Sequence, residues 1–215
     1  MDPAQHVLLI LGGAFPGEAR ALALAESAAR IVCADSGAEH ARKLGLNVHA
    51  IVGDFDSITP DTLRFFEARG AEILSRPDQQ HDDFEKALEF IAATHTGPVV
   101  VLGATGLRSD HLISNLSVML RMTDRFESLT ANDDFASYRF LTAVQRSCTI
   151  ECPIGSIISL MPFGTAHRVT TTNLQYPLSA EDLLLGQREG LSNVATGTPV
   201  HIEIAGGALL VTVGH

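Results

Sequence analysis

Short apolar runs alternate with helical patterns through the first half of the chain. The apolar runs predict strands at residues 7–11, 31–34, 50–52, 72–74 and 99–102. Apolar residues spaced three and four positions apart predict helices at residues 18–29, 38–44, 60–69, 83–94 and 111–121. Alternation of this kind is typical of an α/β domain with a doubly wound, mainly parallel sheet of the Rossmann-like type.

The pattern changes near residue 140. Short β-rich segments, separated by Gly, Pro, Asn and Thr, follow at residues 148–151, 157–161, 169–172, 200–204 and 209–213. Just before them, residues 128–131 are expected to pair with residues 137–141 across a turn at 132–134. The sequence therefore predicts an α/β domain over residues 1–140 and a small all-β sandwich domain over residues 141–215.

Composition narrows the choice of partners. Hydrophobic residues make up 46% of the 215 residues, and a formal net charge of −10 argues against a nucleic-acid partner, which needs a basic face. The three cysteines form no paired framework, which fits a reducing compartment. The apolar runs are too short to span a membrane. We therefore expect a cytoplasmic protein that binds neither nucleic acid nor a membrane.

Four acidic loops each follow a predicted strand. They occupy residues 34–37, 53–57, 81–86 and 106–111. Because the carboxyl ends of parallel strands meet at the same edge of a sheet, we expect these loops to be neighbours. Clustered carboxylates repel one another unless a cation neutralises them, and such hard oxygen ligands suit magnesium or calcium. The loops indicate metal-assisted chemistry on a phosphate-bearing substrate.

Candidate metal ligands lie in two of these loops. Asp54 and Asp56 are two residues apart in a segment leaving a strand, so that both could face one ion, although Asp is also common in plain turns. Asp83 could add a third ligand, and Lys86 could face a phosphate oxygen. Alternatively, Asp83 and Lys86 form only a surface ion pair at helical spacing.

The last acidic loop adds a candidate phosphate ligand. Arg108 has no obvious structural role in a glycine-rich loop, and its guanidinium could bind phosphate through two hydrogen bonds. Asp110 is suited to capping the helix that follows it. His111 is either a base or an ordinary residue at the helix start, and the second interpretation is favoured.

Two further features have both a functional and an ordinary interpretation. Gly12 and Gly13 resemble a turn that approaches phosphate, but G-x-G-x-x-G and the Walker lysine motif are both missing, and a tight turn explains them nearly as well. In the β-rich half, Tyr176 could stack on a ring while Ser192 and Asn193 bond its edge. Simple packing and turn formation explain these residues too.

Taken in order, these motifs resemble those of the thiamine pyrophosphokinase family over nearly the whole chain. The motifs are A-D-S-G-A at 34–38 (A-D-G-G-A in the family), G-D-F-D-S at 53–57 (identical), D-F-E-K-A-L at 83–88 (D-F-x-K-A-L), G-A-T-G-L-R-S-D-H at 103–111 (G-A-x-G-G-R-x-D-H), L-Q-Y-P-L at 174–178 (L-K-Y-P-L) and S-N at 192–193. Ser36, Leu107 and Asn173 replace glycines of the pattern, and Gln80 replaces an acidic residue.

The resemblance implies transfer of the pyrophosphoryl group of ATP to the hydroxyl of thiamine, giving thiamine diphosphate and AMP, with Mg²⁺ as cofactor. It also implies a homodimer whose active site is shared between chains. The predicted catalytic residues are Asp54, Asp56, Asp83 and Asp110, the first three as Mg²⁺ ligands. The predicted ATP contacts are Asp35, Gly37, Lys86, Arg108, Asp110 and His111. The predicted thiamine contacts are Tyr176, Ser192 and Asn193.

Two other functions remain open from the sequence. One is a different Mg²⁺-dependent nucleotide transferase or hydrolase that uses the D-x-D loop, which would leave Tyr176 and the Ser192–Asn193 pair without a role. The other is a non-catalytic nucleotide or thiamine sensor with a weakened metal site, an alternative that rests on Gln80 and Leu107.

Overall fold

The structure is a computed structural model that describes residues 6–78 and 80–215, and it divides into two compact units, Met1–Asp134 and Phe135–His215. The described strands of the first unit are β1 (Val7–Ile10), β2 (Arg30–Ala34), β3 (Ala50–Gly53), β4 (Glu72–Ser75), β5 (Val99–Leu102) and β6 (Leu129–Asn132). Its helices are α1 (Glu18–Ser27), α2 (Gly37–Lys43), α3 (Pro60–Glu67), α4 (Asp83–Ala92) and α5 (Ser109–Met122), and a 3-10 turn follows at Thr123–Arg125. The predicted strands and helices of this part of the chain are all present, with ends that shift by a few residues.

The strands of the first unit form a parallel array in the order β4-β3-β2-β1-β5-β6. Strands β2, β3 and β4 are added in turn on one side of β1, and β5 and β6 are then added on its other side. The break in direction between β1 and β5 is a topological switch point, where open α/β sheets bind their ligands. Strands β1 and β3 are continuous apolar runs because side chains on both sides of them are buried, and all four residues of each strand are buried.

Helix ends follow their local chemistry. Thr59 caps α3 by accepting a hydrogen bond from the Thr62 backbone N–H at 3.3 Å, and Pro60 occupies the first turn, where its missing N–H costs no helical hydrogen bond. Asp82 caps α4 by accepting from the Glu85 N–H at 2.9 Å. Helix α5 differs from prediction because it already begins at Ser109, so Arg108 occupies the cap position and Asp110 lies inside the first turn. Asp110 is therefore not the cap.

The second unit is built from strands. They are β7 (Ala136–Leu141), β8 (Ser147–Ile150), β9 (Ile157–Thr172), β10 (Glu181–Leu184), β11 (Gly190–Val194), β12 (Val200–Glu203) and β13 (Gly206–Gly214). They pair antiparallel in the order β7-β13-β9-β12-β8, and β10 and β11 also pair with β9. Apolar side chains from β8, β9, β12 and β13 form its buried core.

Strand β9 was predicted as two short strands, and the structure joins them into one strand of 16 residues. Gly164 and Arg168 have positive φ values of +82° and +53° inside it. These positions bend the strand without ending it, so the interrupted apolar pattern was mistaken for a turn. Strands β10 and β11 were not predicted, because their sequences are polar or glycine-containing.

The units divide between Asp134 and Phe135, earlier than the division predicted after residue 140. Strand β7 belongs to the second unit because it pairs along its whole length with β13. None of the helices in the described parts of the chain has the length and apolar character needed to cross a membrane.

Candidate active site

Three carboxylates meet at the carboxyl edge of the parallel strands. Asp35 follows β2, Asp54 follows β3 and Asp83 opens α4, and one oxygen from each lies within 4.8 Å of the others. The parallel register explains this arrangement, because it delivers the ends of β2 and β3 side by side. The acidic loops were predicted to meet at this edge, with Asp56 and not Asp35 grouped with Asp54 and Asp83.

Asp56 lies outside that group of three. Its carboxylate accepts a hydrogen bond from the Ser57 hydroxyl at 2.6 Å, and its backbone N–H donates to the Asp54 carboxylate at 3.2 Å. The reason is the backbone of Phe55, whose φ of +69° turns the chain between the two aspartates. The extended D-x-D geometry assumed from the sequence is therefore not the one observed, and Asp35 takes the position expected of Asp56.

The Asp35 carboxylate is buried close to other negative charges. Its side chain is buried, and its Oδ1 atom has no hydrogen-bond partner among the residues that the structure describes. Burial raises the pKa of Asp35, and the nearby charges of Asp83, Asp56 and Asp54 raise it further, whereas a hydrogen bond from the Ser36 backbone acts in the opposite direction. An orphaned carboxylate oxygen among other carboxylates is a donor set suited to a hard divalent cation.

Asp83 shares this environment but has a cation beside it. Burial raises the pKa of Asp83, and the Lys86 ammonium acts against that shift by donating to Asp83 Oδ1 at 3.0 Å. Lys86 is only 6% exposed, so the pair is not the solvated surface pair that was its ordinary interpretation. One buried lysine partly offsets the charge of three carboxylates.

Gly53 is what allows the carboxylates to approach. A Cβ atom at this position would lie 3.1 Å from Asp35 Cβ and 3.3 Å from Asp83 Cγ. These separations are tighter than ordinary packing contacts, so a larger residue at the end of β3 would push Asp35 and Asp83 apart.

A cavity of about 540 Å³ opens at the switch point. Its walls come from the loops after β1, β2 and β5 and from the starts of α4 and α5, and they include Gly12, Gly13, Asp35, Asp83, Arg108 and His111. The volume falls within the range typical of small-molecule sites. The cavity brings together most of the residues predicted to contact ATP.

Two of the predicted ATP contacts lie elsewhere. Gly37 is packed beneath β1, where a Cβ would overlap with the Ile10 carbonyl oxygen, so its role is to let α2 approach the strand. Lys86 lines a second, polar cavity of about 410 Å³ together with Asp54, Asp83 and Gln80. The two cavities share Asp82, Asp83 and Ser114, so that Asp83 faces both of them.

Arg108 has a partner that the sequence did not reveal. Its Nε and Nη2 atoms donate to the two carboxylate oxygens of Asp110 at 3.1 and 2.5 Å. Both side chains are exposed, and this pairing lowers the pKa of Asp110 to about 2. The guanidinium at the cavity mouth is thus held in a defined orientation, and Asp110 stays ionised at neutral pH.

Two residues that the sequence analysis missed hold the loop after β5. Asn115 donates from Nδ2 to the Ala104 carbonyl at 2.7 Å, and Thr105 donates from its hydroxyl to Asp133 at 2.8 Å in a buried pair. Asn in the middle of a helix is a weak helix former, and that was the available signal for Asn115. Asp133 was interpreted only as part of a turn.

In the second unit, Asn193 and Tyr176 are joined by two hydrogen bonds. Asn193 Oδ1 accepts from the Tyr176 backbone N–H at 3.1 Å, and Asn193 Nδ2 donates to the Tyr176 carbonyl at 2.8 Å. The Asn193 amide is buried and the Tyr176 ring is exposed. Asn193 therefore fixes the backbone that presents Tyr176, and Ser192 beside it has a positive φ of +55°.

Two of the departures from the family pattern retain a glycine-like backbone. Leu107 and Asn173 have φ values of +57° and +59°, in the left-handed region that glycine adopts most readily. Ser36 differs from them, because its φ of −59° is helical and places no demand for glycine.

Two models of known protein families match this chain. The model of the thiamin pyrophosphokinase catalytic domain matches residues 21–131, and the model of that family's vitamin B1 binding domain matches residues 147–209. The chain belongs to the thiamin pyrophosphokinase family. The boundary between the two matched regions contains the division between the two structural units.

Members of the thiamin pyrophosphokinase family are moderately similar in sequence. The chain is 30% identical to thiamine pyrophosphokinase 1 of Oryza sativa subsp. japonica over 71% of this chain and 61% of that protein. It is 28% identical to thiamine pyrophosphokinase 1 of Arabidopsis thaliana over 71% of this chain and 60% of that protein. The matched region thus spans less than two thirds of the length of these relatives.

Solved structures share the fold. A thiamin pyrophosphokinase from Candida albicans superposes with a TM-score of 0.85 at 19% identity, covering 98% of this chain and 88% of that one. The enzyme from Bacillus subtilis gives 0.81 at 20% identity, covering 97% and 98%. At these identities the likeness establishes the fold, a mixed α/β structure with a large sheet.

Proposed function

We propose that this protein is a thiamine diphosphokinase, which transfers the pyrophosphoryl group of ATP to the hydroxyl of thiamine and releases AMP. The observation that carries the proposal is the group of three carboxylates, two of which, Asp35 and Asp83, line a ligand-sized cavity in a chain that matches both family domains. Phosphoryl-group transfer depends mainly on positioning and charge neutralisation, and this site offers residues for both.

Mg²⁺ is the proposed cofactor. The residues that fit it are Asp35, Asp54 and Asp83, and the orphaned Asp35 Oδ1 is the atom that most needs a cation. When bound, Mg²⁺ would supply positive charge to phosphate oxygens. Asp56 remains in the proposed site as a nearby acidic residue that also fixes the Asp54 loop through its backbone N–H.

The remaining groups of the first unit bind and orient the nucleotide. Gly12 and Gly13 form part of the cavity wall, and Arg108 supplies two donors on the exposed side of the cavity. Because Asp110 holds those donors in the free protein, phosphate would replace it as the partner of Arg108. Asp110, released and ionised, is then the proposed acceptor that orients the attacking hydroxyl.

Lys86, Gly37 and His111 complete the predicted nucleotide contacts in different ways. Lys86 is proposed to neutralise charge from beneath the carboxylates, since its ammonium is buried against Asp83. Gly37 acts through packing alone. His111 lines the cavity at the start of α5, and its proposed role is a contact with the nucleotide and not proton transfer.

Thiamine is proposed to bind the second unit through Tyr176 and Ser192, with Asn193 holding the Tyr176 backbone in place. We also propose that two chains form a homodimer in which the first unit of one chain and the second unit of its partner complete a site. We further propose that the first unit is a doubly wound, Rossmann-like domain and the second a β-sandwich. The free cysteines favour a cytoplasmic location for the protein.

An assay of AMP and thiamine diphosphate formation tests the function directly. The protein is incubated with ATP and Mg²⁺, with and without thiamine. The expected result is equal amounts of AMP and thiamine diphosphate, formed only when thiamine is present. AMP release at the same rate with and without thiamine would instead identify a nucleotide hydrolase. Binding of ATP or thiamine with no AMP formed in either incubation would identify a sensor.

A further inference from the structure

Leu107 is an exposed apolar residue in the wall of a polar cavity. Its side chain is 82% exposed, whereas the other large apolar residues of the same wall, Leu11 and Phe84, are buried. A solvent-exposed leucine gains little from the hydrophobic effect in the free protein. Its position at the mouth of the cavity means that a bound molecule would cover it.

The backbone conformation at Leu107 is also unfavourable for a leucine. Its φ of +57° lies in the left-handed region, which is unfavourable for a residue with a Cβ and most favourable for glycine. The preceding residue, Gly106, is also left-handed, and there a Cβ would overlap with the Ala14 side chain. Glycine is therefore required at 106 by space, while a leucine is held at 107 against its conformational preference.

Neither burial nor backbone preference explains a leucine at this position in the free protein. Strained residues of this kind persist where the bound state uses them. The neighbouring Arg108 presents two donors to anions, so a ligand at this corner has an anionic end near the guanidinium. An apolar side chain one residue away suits a flat, weakly polar group attached to that anion, as in a nucleotide.

We propose that Leu107 packs against the nucleoside part of the bound nucleotide and sets the affinity of the site for it. This inference rests on the proposed function, and it assigns to one residue a contact that a glycine at this position cannot make. Leu107 is in this view a specificity-determining residue. Arg108 holds the phosphate, and Leu107 distinguishes a nucleotide from pyrophosphate alone.

The test compares binding of AMP with binding of inorganic pyrophosphate by calorimetry. Two variants remove the apolar side chain: Leu107→Gly, and Leu107→Asn, which tolerates the left-handed backbone without adding glycine flexibility. A matched control is Leu185→Gly, because Leu185 is also exposed, at 54%, but lies in the second unit. We expect both Leu107 variants to bind AMP about fivefold to tenfold more weakly, from the lost apolar burial.

Pyrophosphate affinity should stay unchanged in all three variants, and the melting temperature of Leu107→Gly should be no lower than that of the wild-type protein. In turnover, the KM for ATP should rise in the Leu107 variants while kcat and the KM for thiamine stay within about twofold. Leu107→Met, which keeps a large apolar side chain, should retain most of the wild-type affinity for AMP.

Several results would overturn the inference. These are unchanged AMP affinity in Leu107→Gly and Leu107→Asn, an equal loss of pyrophosphate affinity, a wild-type protein that binds no AMP, or a change in sedimentation in place of a change in affinity. Failure of the proposed function is a separate outcome. A chain that makes no thiamine diphosphate but loses AMP affinity with Leu107 would refute the kinase and leave this contact standing.

Discussion

At the scale of single residues, the decisive feature is one buried carboxylate oxygen, Asp35 Oδ1, which has no hydrogen-bond partner among the residues that the structure describes. Buried polar atoms are nearly always bonded, so the Asp35 Oδ1 atom calls for an explanation. Its neighbours Asp54 and Asp83 add negative charge to the same few ångströms. This arrangement of charges is unfavourable in the protein alone, and the proposed divalent cation would relieve it.

Replacing Asp35 should separate stability from activity. In Asp35→Asn the repulsion falls, so we expect the melting temperature in EDTA to equal or exceed that of the wild-type protein. The increase in melting temperature caused by Mg²⁺ should disappear, and thiamine diphosphate formation should fall at least 100-fold, as expected when charge stabilisation is removed. The measurements are thermal melts with and without Mg²⁺ and the coupled product assay.

Asp56→Asn is the matched comparison. Because Asp56 lies outside the group of three, its variant should keep most of the stabilisation by Mg²⁺. If Asp56→Asn loses that stabilisation and Asp35→Asn keeps it, the ligand set expected from the D-x-D pattern is correct and the one seen in the structure is not.

His40 is expected to make the stability of the protein depend on pH. Its half-buried ring stacks on Phe15 with centroids 4.6 Å apart. Burial lowers the pKa of His40 from the ordinary value of 6.5, with Lys43 acting in the same direction. The unfolded chain therefore takes up the proton first, so the stability that neutral His40 provides is present above pH 6.5 and is lost as the pH falls through the lowered pKa.

His40→Gln, which cannot be protonated, should lose less stability than the wild-type protein between pH 8 and pH 5. The free energy of unfolding from urea titrations at the two pH values gives the comparison. An identical pH dependence in both proteins would mean that other groups, such as the buried His6, account for the effect.

At the scale of secondary-structure elements, α4 and α5 are tied together next to the carboxylates. Arg121 on α5 donates to both carboxylate oxygens of Glu85 on α4, at 3.3 and 2.6 Å. Ser114 donates to Asp82, the cap of α4, at 3.2 Å. Since α4 begins with Asp83, these contacts fix the helix that carries one of the three clustered carboxylates.

A double-mutant cycle measures the interaction energy between Arg121 and Glu85. Arg121→Gln should lower the free energy of unfolding by about 1 kcal/mol, because a charge-assisted pair with one mostly buried partner is lost. Glu85→Gln should cost a similar amount. If the pair is real, the double variant should cost less than the sum of the two, and additive costs would show that Arg121 and Glu85 contribute independently.

The candidate site shows where sequence reasoning succeeds and where it stops. Continuous apolar runs predicted the parallel strands, and strand ends predicted that acidic loops would meet, because both follow from local pattern and sheet geometry. The sequence did not reveal that Phe55 adopts a left-handed backbone, which moves Asp56 away from the group. It also did not reveal that Asn193 is used by the backbone of Tyr176, since such pairings depend on tertiary contacts.

At the scale of the whole molecule, the chain consists of two units that match separate family domains. The proposed homodimer makes a sharp prediction about mixed dimers. Asp54→Asn disables the first unit, and Tyr176→Ala disables the second. If sites are shared between chains, a mixed dimer has one doubly damaged site and one intact site.

We expect co-expression of these two chains, carrying different affinity tags and purified through both, to give roughly half of the wild-type activity per dimer, because one of its two sites has all native residues. Each variant alone should be nearly inactive. A mixed dimer as inactive as its parents would place each site within a single chain, and a fully active monomer in sedimentation would exclude sharing altogether.

The glycines at the switch point limit how this protein can diverge. A Cβ at Gly13 would overlap with the Gly103 carbonyl, one at Gly103 with the Leu11 carbonyl, and one at Gly37 with the Ile10 carbonyl. Each of these positions already holds the smallest residue and has no room for the next larger one. Descendants of this sequence can therefore change the ligand preference of the cavity only through side chains that project into it, of which Leu107 is the most exposed large apolar one. The backbone that frames the cavity has no accessible single substitution at these three positions.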